Sequence, residues 1–120
     1  MAPADPVVST SAGRVRGRIE KGISVFRGIP FAKPPIGPLR FQAPEPPEPW
    51  DGIRDAAEFG PAAPQAQMMA EAGQPASPAD TTGDWLTVNV WSPDPAAVRL
   101  PVLVWIYGGA YMFGASSEPG

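Results

Sequence analysis

An apolar run that ends in a pair of glycines is the feature of this sequence best suited to chemistry. The run Val102–Ile106 is uncharged, and after Tyr107 the chain reaches Gly108-Gly109. A short continuous apolar run is typical of a buried parallel strand. Paired glycines at its end let the backbone turn sharply, with N–H groups free to face a bound group. In hydrolases with an activated serine, such N–H groups form part of an oxyanion hole. Taken alone, the pair more often marks a simple strand-ending turn.

The residues that would accompany an oxyanion hole are missing from the sequence. It contains no histidine and no Gly-x-Ser-x-Gly motif, so neither the base nor the usual nucleophile of a serine hydrolase is available. It also contains no cysteine, which excludes a disulfide, a zinc–thiolate site and a thiol nucleophile. We therefore expect a chain that could stabilise a transition state without generating it, and that uses no metal and no cofactor.

Composition and charge argue against several classes of protein. The net charge is −3 and the nine lysines and arginines are scattered, which gives no support to nucleic-acid binding. No apolar run approaches the length of a membrane span. The N-terminus at Met1 has neither the basic start nor the apolar stretch of a signal peptide. Together with the lack of cysteine, this predicts a cytoplasmic protein that binds neither nucleic acid nor membrane.

Local patterns divide the chain into short strands, extended segments and one helix. Gly17 interrupts an alternating run and predicts a bend, and Lys21-Gly22 predicts a hairpin turn. Prolines recur between residues 30 and 64 and lack the N–H that a sheet needs, which predicts extended surface chain. A helix is plausible only over Ala66–Ala72. The predicted strands are Val7–Thr10, Arg14–Glu20, Ile23–Phe31, Leu86–Trp91 and Val102–Tyr107.

The scarcity of helices is at odds with a buried parallel strand at Val102–Tyr107. Parallel strands are joined by crossovers of a dozen or more residues, which are usually helical. Prolines and glycines, 18 and 13 among 120 residues, also leave little sequence for a core of its own. We therefore expect the strands that flank Val102–Tyr107 to lie outside this chain.

Three stretches in a fixed order carry a resemblance to a known family. The first runs from Val25 to Phe41 (VFRGIPFAKPPIGPLRF), the second from Asp84 to Trp91 (DWLTVNVW), and the third is Gly108-Gly109-Ala110. Together they resemble the type-B carboxylesterases, serine hydrolases that include cholinesterases, liver-type carboxylesterases and bacterial para-nitrobenzyl esterases. A glycine pair alone would be weak evidence, whereas the ordered set is specific.

The resemblance implies an α/β fold, of which residues 1–120 would form an incomplete N-terminal portion. This portion of an α/β-hydrolase fold would consist of a small antiparallel sheet and the first strands of the main sheet, within a single domain whose remainder is absent. The small sheet would hold Val7–Thr10, Gly13–Arg16 and a stretch near Ile53–Ala57. An edge hairpin of the main sheet would hold Arg18–Lys21 and Ser24–Ala32, and its interior strands would be Leu86–Trp91 and Val102–Tyr107.

The resemblance also implies a chemistry and assigns roles to the glycine loop. Members of the family hydrolyse carboxylic esters through an acyl-serine intermediate. Their oxyanion is held by backbone N–H groups of a Gly-Gly-Gly/Ala loop and one more after the serine, so the donors here would be Gly109 and Ala110. Tyr111, Met112 and Phe113 follow, and would line an apolar acyl pocket or simply pack in the core. The partner would be a small-molecule ester, and the oligomeric state is left open.

Departures from the family pattern narrow the expected substrate and location. Many secreted members have cysteines where Ala63 and Trp85 stand, and their replacement fits a reduced compartment. No aromatic residue occurs between Pro64 and Asp84 to bind a quaternary ammonium, so a choline ester is not expected. The favoured function is that of an inactive fragment of a carboxylesterase for neutral, fairly apolar esters. A non-catalytic, cholinesterase-like binding protein and a truncated product without function are the alternatives.

Overall fold

Six short strands make up most of the regular structure in the part of the chain that the structure describes. The computed structural model describes residues 4–65 and 82–118. The predicted helix Ala66–Ala72 lies outside these residues. The described part contains one short 3-10 turn, Gly37–Leu39, and no helix in it is long and apolar enough to cross a membrane. The strands are β1 (Val7–Ser9), β2 (Arg14–Arg16), β3 (Arg18–Glu20), β4 (Ile23–Pro30), β5 (Ile53–Asp55) and β6 (Thr87–Ser92).

The first sheet has the strand order β1-β2-β5 and contains the three predicted segments. β1 and β2 are antiparallel, with Val8 opposite Val15. β5 pairs with β2 in the parallel direction, with Val15 opposite Arg54. The family resemblance implies a small antiparallel sheet, but this sheet is mixed because β2 and β5 are parallel. β5 reaches β2 after a long proline-rich connection, which permits the crossover that a parallel pair requires.

The second sheet has the order β3-β4-β6 and contains the predicted edge hairpin. The turn between β3 and β4 places Lys21 and Gly22 at φ values of 49° and 80°, as in the primed turns that match the twist of two-residue hairpins. β4 pairs antiparallel with β6, and the register shifts between Phe26 and Ile29. This bulge turns the Arg27 N–H away from β6 to the carbonyl of Ala56, at 2.7 Å.

A small apolar core joins the two sheets. Val15 from the first sheet and Phe26 from the second are buried against Ala56. Gly17, which links β2 to β3, is itself buried, and a Cβ there would overlap the Val25 carbonyl oxygen. The bend predicted at Gly17 is thus the point where the chain passes from one sheet to the other, and only glycine allows the close approach.

The predicted strand Val102–Tyr107 is not formed in this chain. These residues belong to neither sheet and are exposed; Leu103 retains 91% of its accessible surface. A strand needs a neighbour for its N–H and C=O groups, and the expected neighbours are not among these 120 residues. Leu86–Trp91, the other predicted interior strand, does form as β6, because β4 supplies its partner.

Candidate functional site

The glycine pair opens a tight turn with an unusual backbone conformation. Gly109 has a φ of 133°, and the next two residues, Ala110 and Tyr111, have φ values of 54° and 64°. The Gly109 carbonyl accepts hydrogen bonds from the N–H groups of Met112, at 2.9 Å, and Phe113, at 3.2 Å. Two successive residues at positive φ are characteristic of a type I′ turn, which usually contains glycine or asparagine.

The two glycines of the pair have different reasons to be glycine. A Cβ on Gly109 would overlap the carbonyl oxygen of Phe113, whereas a Cβ on Gly108 would meet no atom of the described residues within 4 Å. The turn folds back on itself directly over Gly109. The loop therefore requires a glycine at residue 109 for steric reasons, whereas the described structure would accept a side chain at residue 108.

The predicted oxyanion donors, the N–H groups of Gly109 and Ala110, lie at this turn. Within the described residues, neither Gly109 nor Ala110 donates a backbone hydrogen bond. Gly109 is half-buried and Ala110 is exposed. Adjacent backbone N–H groups in a turn can bind an anionic oxygen. The arrangement thus suits a developing negative charge.

The three apolar residues after the donors lie at the surface of the loop. Tyr111 is fully exposed, and Met112 and Phe113 are about half exposed. They are not among the residues that line the cleft near Gly28 and Arg54, and they are not part of the described core cluster. Their predicted contact with substrate stays a prediction.

A glutamine side chain holds the far end of the loop. The Gln65 Nε2 donates to the Gly114 carbonyl at 3.0 Å and to the Ala63 carbonyl at 3.1 Å. The Gly114 N–H donates in return to Gln65 Oε1 at 2.8 Å. Sequence reasoning missed Gln65, because a single glutamine 49 positions from its partner carries no local signal.

An asparagine of β6 makes a second attachment. The Asn89 Oδ1 accepts from the Gly28 N–H at 2.9 Å, at the bulge of β4. Its Nδ2 donates to the Ser116 carbonyl at 3.3 Å. One amide thus connects the sheet, where the ladder is interrupted, to the loop that follows the donors.

An ion pair between Arg27 and Glu20 joins β4 to β3 in the second sheet. Arg27 donates to both carboxylate oxygens of Glu20, at 2.6 and 2.9 Å, and its guanidinium lies 4.8 Å from the Phe59 ring centroid. The hydrogen bond from Arg27 lowers the pKa of Glu20, against a smaller opposing effect of burial. No group of three or more possible metal-ligating side chains occurs in the described residues.

An open cleft of about 530 Å³ lies near the junction of the two sheets and does not include the glycine turn. Arg54, Asp55 and Glu58 give it a mixed charge. Its lining residues are Gly28, Arg54, Asp55, Glu58, Phe59, Gly60, Pro61, Thr82, Asp84 and Thr87.

Comparison with known proteins matches nearly the whole chain. The model of the carboxylesterase family matches residues 4–120. The para-nitrobenzyl esterase of Bacillus subtilis is 45% identical over 113 residues, covering 94% of this chain and 23% of that protein. The phenmedipham hydrolase of Pseudarthrobacter oxydans is 42% identical over 120 residues, covering 95% and 24%. The chain therefore spans about a quarter of the length of these relatives.

Solved structures give the same result. A carboxylesterase of Geobacillus stearothermophilus superimposes with a TM-score of 0.77 at 44% identity, covering 93% of this chain and 21% of that one. A PNB esterase superimposes with a TM-score of 0.80 at 44% identity, covering 96% and 24%. These neighbours confirm the expected fold, an incomplete N-terminal portion of an α/β-hydrolase. This chain belongs to the carboxylesterase family.

Proposed function

We propose that this chain contributes the oxyanion-binding loop of a carboxylic-ester hydrolase that acts through an acyl-serine intermediate. The backbone N–H groups of Gly109 and Ala110 are the proposed donors. The observation that carries the proposal is that both N–H groups are unused within the described residues, at a turn that Gln65 and Asn89 attach to the rest of the chain. Membership of the carboxylesterase family supports the same role.

The proposed chemistry explains why backbone groups matter more than side chains here. When a serine attacks an ester carbonyl, negative charge develops on the carbonyl oxygen, and donors already in place stabilise it without reorganising. Loss of one such donor costs about 2.7–4 kcal/mol of transition-state stabilisation. In this proposal the serine, the acid and the histidine come from sequence outside these 120 residues.

The proposed substrate is a neutral, fairly apolar carboxylic ester. One relative is named for para-nitrobenzyl esters, and the apolar side chains of Tyr111, Met112 and Phe113 are proposed to contact the acyl or alcohol group. The relatives cited above carry the names of hydrolases, which favours the enzyme over a non-catalytic binding protein. The cytoplasmic location stays a prediction.

A hybrid enzyme provides the direct test. In this protein, the hybrid esterase, residues 4–118 replace the aligned stretch of the Bacillus subtilis para-nitrobenzyl esterase. Replacing Ala110 by lactic acid during cell-free synthesis converts one amide to an ester, which removes the N–H and leaves φ unrestricted. We expect kcat to fall about 100- to 1000-fold, with KM little changed, since only the transition state uses the donor.

The matched control is the same amide-to-ester change at Ala43, an exposed alanine outside the loop. Within the described residues, neither its N–H nor the Gln42 carbonyl that precedes it takes part in a backbone hydrogen bond. It should leave kcat close to that of the parent. Equal kcat in the two ester variants and the parent would contradict the proposal. So would a hybrid esterase that is folded by circular dichroism and has no ester turnover.

The isolated 120-residue chain should show no turnover of para-nitrophenyl acetate or butyrate above background. Oxyanion donors cannot act without a nucleophile and a base, and the sequence contains no histidine. Saturable hydrolysis that co-purifies with the chain over several columns would contradict this expectation.

A further inference from the structure

We propose that Gln65 and Asn89 are positioning residues. They hold the loop so that the backbone N–H groups of Gly109 and Ala110 lie within reach of the oxyanion. This inference rests on the proposed function and adds to it the groups that fix the loop. Neither side chain reaches the donors themselves. Each acts through the backbone of the segment that follows them.

The two ends of the loop contact each other at Gly114 and Gly108. Gly114 is buried and has a φ of 106°. A Cβ added to it would lie 2.7 Å from the Gly108 carbonyl oxygen and 3.0 Å from the Tyr107 ring. The backbone at Gly114 therefore rests directly on the backbone that precedes the donors. Whatever fixes Gly114 also fixes Gly108 and, through it, Gly109.

The Gln65 side chain fixes Gly114 through hydrogen bonds in both directions. Both amide hydrogens of a glutamine can donate, and here they go to the carbonyls of Gly114 and Ala63. The oxygen accepts from the Gly114 N–H. All three partners are backbone groups, so the side chain connects the segment around Ala63 to the end of the loop at Gly114.

The Asn89 side chain attaches the same loop to the second sheet. Its oxygen takes the Gly28 N–H that the bulge of β4 removes from the ladder with β6. Its nitrogen reaches the Ser116 carbonyl. The loop is thus attached on either side of Ala115, to two parts of the chain that are distant in sequence. The N–H groups of Gly109 and Ala110 donate no backbone hydrogen bond within the described residues.

Removal of the Gln65 amide should misplace the donors without abolishing the fold. In the hybrid esterase, Gln65→Met keeps the length of the side chain and removes all three hydrogen bonds. Displacement of a catalytic group by about 1 Å costs about 100-fold, so we expect a loss of that order in kcat with KM little changed. The matched control is Gln42→Met at an exposed glutamine, which should leave kcat unchanged.

The conservative variant Gln65→Glu supplies a signature that a general packing role would not produce. An ionised carboxylate cannot donate and would face the carbonyl oxygens of Gly114 and Ala63, whereas a protonated carboxyl has the donor and acceptor pattern needed at Gly114. The ratio of kcat for Gln65→Glu to that of the parent should therefore rise as pH falls. Asn89→Asp, which would likewise lose its hydrogen bond to Ser116 when ionised, should show the same trend.

Amide hydrogen exchange separates this inference from the proposed function. In the hybrid esterase, Gln65→Met should speed exchange at residues 108–116 and leave β3 and β4 unchanged. If the ester change at Ala110 has no effect on kcat while Gln65→Met still speeds loop exchange, the oxyanion role falls and the attachment by Gln65 stands. If Gln65→Met leaves both kcat and loop exchange at parental values, the positioning role is overturned.

Discussion

Ala110 adopts a backbone conformation that its side chain disfavours. Its φ of 54° lies in the left-handed region, where a residue other than glycine costs about 1 kcal/mol or more. Ala110→Gly keeps the N–H and removes this strain. In the hybrid esterase we therefore expect a higher melting temperature and a kcat within about twofold of the parent, since the backbone supplies the donor. Thermal melts and initial rates measure both. A large fall in kcat would show that the methyl group itself matters.

The glycine pair offers a matched comparison within two adjacent positions. Gly109→Ala would drive a Cβ into the Phe113 carbonyl oxygen at a φ of 133°, whereas Gly108→Ala meets no atom of the described structure within 4 Å. Overpacking of this kind costs about 1–3 kcal/mol or more. We expect Gly109→Ala to lower both the melting temperature and kcat of the hybrid esterase clearly more than Gly108→Ala does. Similar losses in the two variants would contradict the turn described here.

At the scale of residues, the sequence predicts the position of the turn but not what holds it. Gly108 and Gly109 are recognisable because a glycine pair after an apolar run is rare and has a physical meaning. Gln65 is one of four glutamines in the chain, and its neighbours do not distinguish it from the others. Its role depends on a contact with Gly114, 49 positions away. The positive φ of Ala110 cannot be predicted from the sequence either. Because the φ of proline is about −65°, a proline at residue 110 would change the backbone as well as remove the N–H, so it would not test the donor alone.

Among the strands, a hairpin turn fixed by local chemistry can be predicted from the sequence, whereas the direction in which distant strands pair cannot. The β3–β4 hairpin follows from Lys21-Gly22, because two residues suffice to set a primed turn. The direction of β5 does not follow from its sequence, since β5 is three residues long and pairs with a strand that ended 37 positions earlier. Its parallel pairing depends on the path of the proline-rich connection. No local pattern encodes that path.

The ion pair across the hairpin makes the second sheet sensitive to acid. Arg27 lowers the pKa of Glu20 in the folded state below the ordinary value of 4.5. A carboxyl with a lowered folded pKa stabilises the fold above its unfolded pKa, and this contribution disappears as pH falls through the folded value. The melting temperature of the hybrid esterase should thus fall more steeply below about pH 4.5 than that of its Glu20→Gln variant. The exposed Glu118 provides the control: Glu118→Gln should follow the parent profile.

Parallel melting profiles for the parent and Glu20→Gln between pH 7 and pH 3 would contradict this view of the hairpin. Because Glu20 is exposed to solvent, we expect the parent and Glu20→Gln to differ little in stability at neutral pH. The informative quantity is therefore the slope of the melting temperature against pH.

At the scale of the whole molecule, the apolar segment Val102–Ile106 belongs to neither of the two sheets. Between Val102 and Ile106 each residue retains 73% or more of its accessible surface. The sequence predicts a strand there because the residues are suitable, yet a strand also requires a neighbour. Composition alone cannot report whether that neighbour belongs to the same chain. The strand prediction is wrong here because no neighbouring strand pairs with the segment in the described structure, although its residues have high β-propensity.

The exposed run should make the isolated chain prone to aggregate. Val102–Tyr107 is uncharged, β-prone and free of proline, which is the composition of segments that pair edge to edge between molecules. We expect a version shortened to end at Pro101 to remain soluble at higher concentration than the 120-residue chain. Because shortening also removes the glycine loop, Val104→Lys in the full 120 residues is the sharper test, and it should improve solubility as well.

Val98→Lys is the matched control for Val104→Lys, because Val98 is 81% exposed and lies outside the apolar run. It adds the same charge to the chain, so any gain in solubility that comes from net charge alone appears in both variants. A larger gain at residue 104, measured by size-exclusion chromatography and light scattering, would assign the aggregation to the run itself. Equal gains would contradict this assignment. A monomeric 120-residue chain with a sharp melt and slow amide exchange across Val102–Tyr107 would show instead that the segment finds a partner within the chain.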